Sequence, residues 1–178
     1  MKKLIFAIVS LVLVSSVSNA QNFKFGHVNM QEVIFLMDEM DSARVVLEKY
    51  NQEIQDTYNA MVQEFQTKLA TYQQMSANWT PSTVEAKQNE LQNLEARLQQ
   101  YQQSASQDIQ NKQQELMIPI QQKASEAVNK VGKANGFTYI FDTSTGVIPF
   151  VDESVSVDVT DLIKAELKIS PDKKLPIQ

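Results

Sequence analysis

The sequence predicts an α+β protein: a long antiparallel helical hairpin projecting from a small β-body that a single chain does not complete. Three observations carry that expectation. Between Gly26 and Gly132 the chain has no glycine and only two prolines, Pro81 and Pro119, a stretch far longer than the helices of a compact domain need. Within it, apolar residues recur at coiled-coil spacing. Segments that alternate with period two flank it on both sides.

Taken in order, residues 1–20 read as a signal peptide. Lys2 and Lys3 precede an apolar run from Leu4 to Val14, and Ser18-Asn19-Ala20 sets small residues where a peptidase cuts, so cleavage is expected after Ala20. The run is too short to span a bilayer comfortably, and no later segment approaches one, so an exported, periplasmic chain without stable membrane insertion is expected. Residues 21–36 open the body, with Phe23–Asn29 alternating as a strand.

Residues 37–135 form the hairpin. Met40, Ala43, Leu47, Tyr50 and Ile54 step by three and four, and Tyr58, Met61, Phe65, Leu69 and Tyr72 continue with a longer period that relaxes supercoiling. The tip falls near 77–82, where Pro81 disfavours helix at Thr80 and Thr80 or Ser82 caps the next helix. The seam resumes at Leu91, Leu94, Leu98, Tyr101 and Ala105. A glutamine-rich stretch from Gln99 to Gln114 follows, and apolar packing returns at Leu116, Ile120, Ala124, Ala127 and Val131. Pro119 removes one helical hydrogen bond and is expected to kink the helix.

Residues 136–170 return to the body. Phe137–Phe141 and Val147–Val151 alternate around a turn at 142–146, predicting a strand pair. A short helix follows, capped by Asp158 or Thr160, with Val159, Leu162, Ile163 and Leu167 on one face. Residues 171–178 are expected to be a loose tail. Three short strands and one short helix make a poor core for one chain, and open sheet edges call for further copies.

Composition narrows the function. The chain has no cysteine, one histidine (His27) and four glycines, which exclude thiolate and two-imidazole metal sites, Cys nucleophiles and a Gly-rich phosphate loop. No cofactor is expected. His27 has no orienting carboxylate and nucleophile beside it in the pattern, so a packing or surface role is expected, and the acid pairs Asp152/Glu153 and Asp158/Asp161 read as caps and loop residues. Removing Lys2 and Lys3 takes the net charge from −5 to −7. An acidic chain without a basic cluster argues against nucleic acid as a partner and against lipopolysaccharide or anionic lipid. At the tip, Tyr72, Met75 and Trp79 gather apolar surface, and Trp79 either staples the helix ends or presents an adaptable surface to apolar clients.

The order of parts resembles the OmpH-like (Skp) family of periplasmic chaperones. The resemblance rests on the strand Phe25-Gly26-His27-Val28-Asn29, a short helix at Gln31–Met37, the long hairpin, the segments from Phe137 to Val151, and the helix start Asp158-Val159-Thr160-Asp161-Leu162-Ile163. It implies a homotrimer with a shared β-barrel body, in which Phe25, Val28, Tyr139, Phe141, Val147 and Phe150 are the candidate body residues. It further implies an ATP-independent holdase, not an enzyme, that keeps unfolded outer-membrane β-barrel proteins from aggregating between helical tentacles. Tyr72, Met75 and Trp79 are the candidate client contacts. The alternative is a structural coiled-coil spacer or tether of the cell envelope.

Overall fold

A computed structural model describes residues 23–175, so the signal-peptide expectation and the last three residues lie outside it. The chain runs β1 (Phe25–Val28), α1 (Met30–Leu36), α2 (Asp38–Met75), a 3-10 turn (Ser76–Asn78), α3 (Pro81–Ala134), β2 (Tyr139–Asp142), β3 (Ser156–Asp158) and α4 (Thr160–Glu166). At 1.5 Å per residue, α2 and α3 extend about 57 and 81 Å. They pack along each other as one arm.

Local chemistry sets the ends of these helices. Asn29 caps α1 by accepting from the Glu32 amide at 3.0 Å. Asp38, Glu39 and Asp41 occupy the first turn of α2, where carboxylates complement the helix dipole. Thr80 caps α3 by accepting from the Thr83 amide at 3.3 Å, with Pro81 next in line. Helix α3 runs unbroken through Pro119 to Ala134. It ends as Phe137 N–H reaches the Gly132 carbonyl at 3.0 Å and Gly136 takes the left-handed φ of 68° that glycine accepts without penalty.

The sheet departs from expectation in order and direction. It has three strands in the order β2-β1-β3, both pairings parallel, with Phe25 opposite Tyr139 on one side and Ser156 on the other. Val147–Val151 is not a strand, and no hairpin joins it to β2. The third strand is Ser156–Asp158, and β1 is trimmed to four residues. Parallel strands need crossovers of a dozen or more residues. The arm supplies one between β1 and β2, and loop 143–155 supplies the other.

One face of this sheet is packed and the other is bare. Gly26, Val28 and Ile140 point inward. The core gathers Val28, Val33, Leu36 and Met37 with Val159 and Ile163 from the end of the chain. Ile120, Ala124, Ala127 and Val131 of α3 complete it. The expectation of a poor single-chain core is therefore corrected, because the foot of the arm serves as its missing layer. Two smaller corrections follow. Leu162 is exposed, since the seven-residue helix turns only Ile163 fully inward, below the buried Val159 that precedes it. Within the described part of the expected tail, Lys173 is held against α2, reaching Asp38 at 2.6 Å and Asp41 at 2.7 Å.

Candidate assembly face and client-binding arm

The outer sheet face is an aromatic ladder. Side chains two apart on a strand share a face, and residues opposite in register do too. Phe25, Tyr139 and Phe141 therefore lie together, and Phe23 continues the row. Phe25 stacks on Phe23, Tyr139 and Phe141 with ring centroids 6.3 to 6.4 Å apart, and Tyr139 and Phe141 are 6.0 Å apart. Tyr139 is still 60 % exposed. Beside the sheet, Val147 and Phe150 in loop 143–155 are more exposed still, at 81 % and 77 %. Exposed apolar surface of this extent is what interaction sites present.

Among the candidate body residues, Val28 stands apart. Strand parity puts it on the opposite face from Phe25, and it is fully buried in the core of its own chain. It supports the face from behind and does not belong to it. Phe25, Tyr139, Phe141, Val147 and Phe150 all lie outside that core.

The second surface is the arm. Two helices cover only one flank of each other's apolar seam, and the burial shows it. Every seam residue of α2 from Met40 to Tyr72 is more than half covered, yet Ala43 alone is buried. In the matching length of α3 only Leu94, Ala105 and Ile120 are buried. An apolar stripe thus runs the length of the arm with one side open. At its foot lies a groove of about 610 Å3, lined by Ala43, Val46, Leu116, Pro119 and Ile120 with charged residues at its rim.

Polar ties hold the helices in register where the seam thins. Tyr101 donates to the Ile54 carbonyl at 3.3 Å, and Gln102 donates to the Tyr58 hydroxyl at 2.8 Å. Sequence pattern placed these tyrosines in an apolar seam and missed their hydroxyls as cross-arm bonds. Nearer the tip, Glu90 bridges Lys68 and Lys87. Hydrogen bonds from Lys68 first, then Lys87, lower its carboxyl to about 2. At the foot, Lys123 pairs with Glu39.

At the tip the rings of Tyr72 and Trp79 meet edge to face at 6.0 Å, and both are partly covered. Met75 is exposed. Tyr72 and Trp79 come together, and the contact fastens the end of α2 to the start of α3.

The molecule thus presents a bare aromatic sheet face and a long, partly covered apolar seam. The chain matches the family model described as outer membrane protein (OmpH-like) over residues 24–167 and belongs to that family. Comparison with curated proteins gave no match. The family is one of periplasmic chaperones, not of enzymes, and at that level it supports a chaperone role toward outer-membrane proteins. Among the described residues no helix is long and apolar enough to cross a membrane.

Proposed function

We propose that the chain is an ATP-independent holdase that works as a homotrimer. Three copies close over their aromatic sheet faces to form one body, and three arms enclose a space that receives unfolded outer-membrane β-barrel proteins. The observation that carries this reading is the open flank of the arm seam. A stable coiled coil covers its seam, whereas a holding surface needs apolar area left uncovered along a great length. Spread over tens of ångströms, such contact binds many segments weakly and selects none by shape. The exposed amides of the glutamine-rich stretch add donors and acceptors that fit many partners.

The aromatic face supplies the reason for self-association. Phe141→Asp puts a charge in the middle of that face while leaving the chain's own core untouched. The expected product is a folded monomer that no longer suppresses aggregation of an unfolded β-barrel protein. Mass in solution and a light-scattering aggregation assay measure both properties. Wild-type chain that leaves aggregation unchanged would refute the holdase and favour an envelope spacer.

A further inference from the structure

The bare sheet face is apolar except at one corner. His27, the single histidine of the chain, lies on the middle strand on the same face as Phe25. In register it sits between Phe141 and Asp158. Its Nδ1 is 3.0 Å from the Ser156 hydroxyl, and Ser156 is buried. A hydroxyl can donate to a neutral imidazole nitrogen or accept from a protonated one. The pair therefore keeps its hydrogen bond in either charge state of the ring.

Asp158 is held as a carboxylate. Its Oδ1 accepts from the Thr160 amide at 2.8 Å. Burial works against its ionisation. The bond from Thr160 and the charges of His27 and Lys164 outweigh that, so its carboxyl stays below the usual range. The other charges nearby are committed or turned away. Lys164 of α4 donates to Glu32 at 2.9 Å, and Asp161 lies exposed on α4. From β2, Tyr139 is neutral and Asp142 points to the inner side, where it accepts from the Met30 amide at 3.2 Å. Lys24, before β1, stacks over Phe137 at 4.2 Å.

We infer that closure of this face between copies takes up protons at His27, so that the assembly tightens as pH falls through the imidazole range. Closing the face removes water from Asp158 in every copy and gathers those carboxylates into one body. An unpaired buried carboxylate is costly, and His27 is the group on the same face able to balance it. Below the imidazole range each copy carries one positive and one negative group on this face. Above it, each carries one uncompensated negative charge.

This inference rests on the proposed closure of the sheet face, and the experiment separates the two. Sedimentation equilibrium at pH 6, 7 and 8 gives the trimer association constant for wild type, His27→Gln and Asp158→Asn. Each proton taken up changes that constant about tenfold per pH unit. The wild-type constant should therefore fall at least about tenfold between pH 6 and pH 8, while both variants show a flat profile. Asp158→Asn keeps the oxygen that accepts from Thr160, so it tests the charge without removing the turn. A trimer whose constant is the same at all three pH values, or a His27→Gln variant that keeps the slope, overturns the proton link alone. A wild-type chain that stays monomeric throughout overturns the closure and the proton link together.

Discussion

Substituting Gly26 tests how tightly the inner face of the sheet is packed. A Cβ at this position would meet the Phe137 ring at 3.1 Å, a Val159 methyl at 3.1 Å and Ile140 Cγ1 at 3.2 Å. Carbon atoms at rest sit about 3.5–4.0 Å apart. All three neighbours must therefore retreat by several tenths of an ångström at once, and Val159 has no free space to retreat into, being fully buried. Overpacking of this kind costs about 1–3 kcal/mol. Alanine recovers about 0.4–1 kcal/mol of it by restricting the unfolded chain. Gly26→Ala should therefore lose about 1–2 kcal/mol. Gly26→Val adds two methyl groups to the same crowded site and should lose about 3 kcal/mol or more. Urea unfolding at fixed protein concentration reads the difference, because assembly makes stability depend on concentration. A valine variant as stable as wild type would refute the reasoning, since the inner face would then have room for the added methyl groups.

Three further outcomes are expected. Pro119→Ala restores a helical hydrogen bond at the foot of the arm and should stabilise the chain by up to about 3 kcal/mol; small-angle scattering with an unchanged size distribution would show that Pro119 does not set the spread of the arms. Glu90 has its carboxyl lowered to about 2 by Lys68 and Lys87, so its contribution is present above about pH 4.5 and is lost as pH falls toward 2; hydrogen-exchange protection near residues 65–90 should drop over that interval in wild type and not in Glu90→Gln. Trp79→Ala removes an edge-to-face contact worth about 0.5–1.5 kcal/mol and should loosen the tip. It should change client affinity less than about tenfold, with only a modest salt dependence, and a larger loss would point to a discrete pocket at the tip.

The arm was legible in the sequence residue by residue because its signal is long and periodic. Every seam position from Met40 to Tyr72 is buried or partly covered, and the helices break at Thr80-Pro81 and Gly136. The sheet was read less well. Val147–Val151 alternates as a strand does, but alternation reports a side-chain pattern and not a backbone partner, and no strand of this chain pairs with it. Ser156–Asp158 is too short and polar to announce itself. It is fixed by β1 on one side and by Val159, whose amide donates to the His27 carbonyl at 2.9 Å. Parallel pairing also depends on where a distant helix returns the chain. On the bare sheet face Phe25, Tyr139 and Phe141 share one side as alternation has it, whereas Val28, the other candidate body residue of β1, is turned into the chain's own core. The link between His27, Ser156 and Asp158 joins residues far apart in sequence and has no local signature.

The placing of β1 at the centre of the sheet has a consequence for how the chain folds. The middle strand comes first in the described chain, and both its neighbours come after the arm. Lys24 and Thr138, which are hydrogen-bonded beside the first pairing, are separated by 114 residues. Closing a flexible loop of that size is slow and entropically costly. The hairpin removes most of this obstacle, because its own contacts form between helices that meet at a short turn. Once zipped, it sets the start of α2 beside Lys123 of α3 and leaves a connection of roughly twenty flexible residues, which lowers the closure cost by about 1.5 kcal/mol. The arm is in this sense the jig on which the body is put together. A cut or a flexible insertion near residues 77–80 should leave the native body nearly as stable, yet slow its formation, because the two ends of the sheet would then have to find each other unaided.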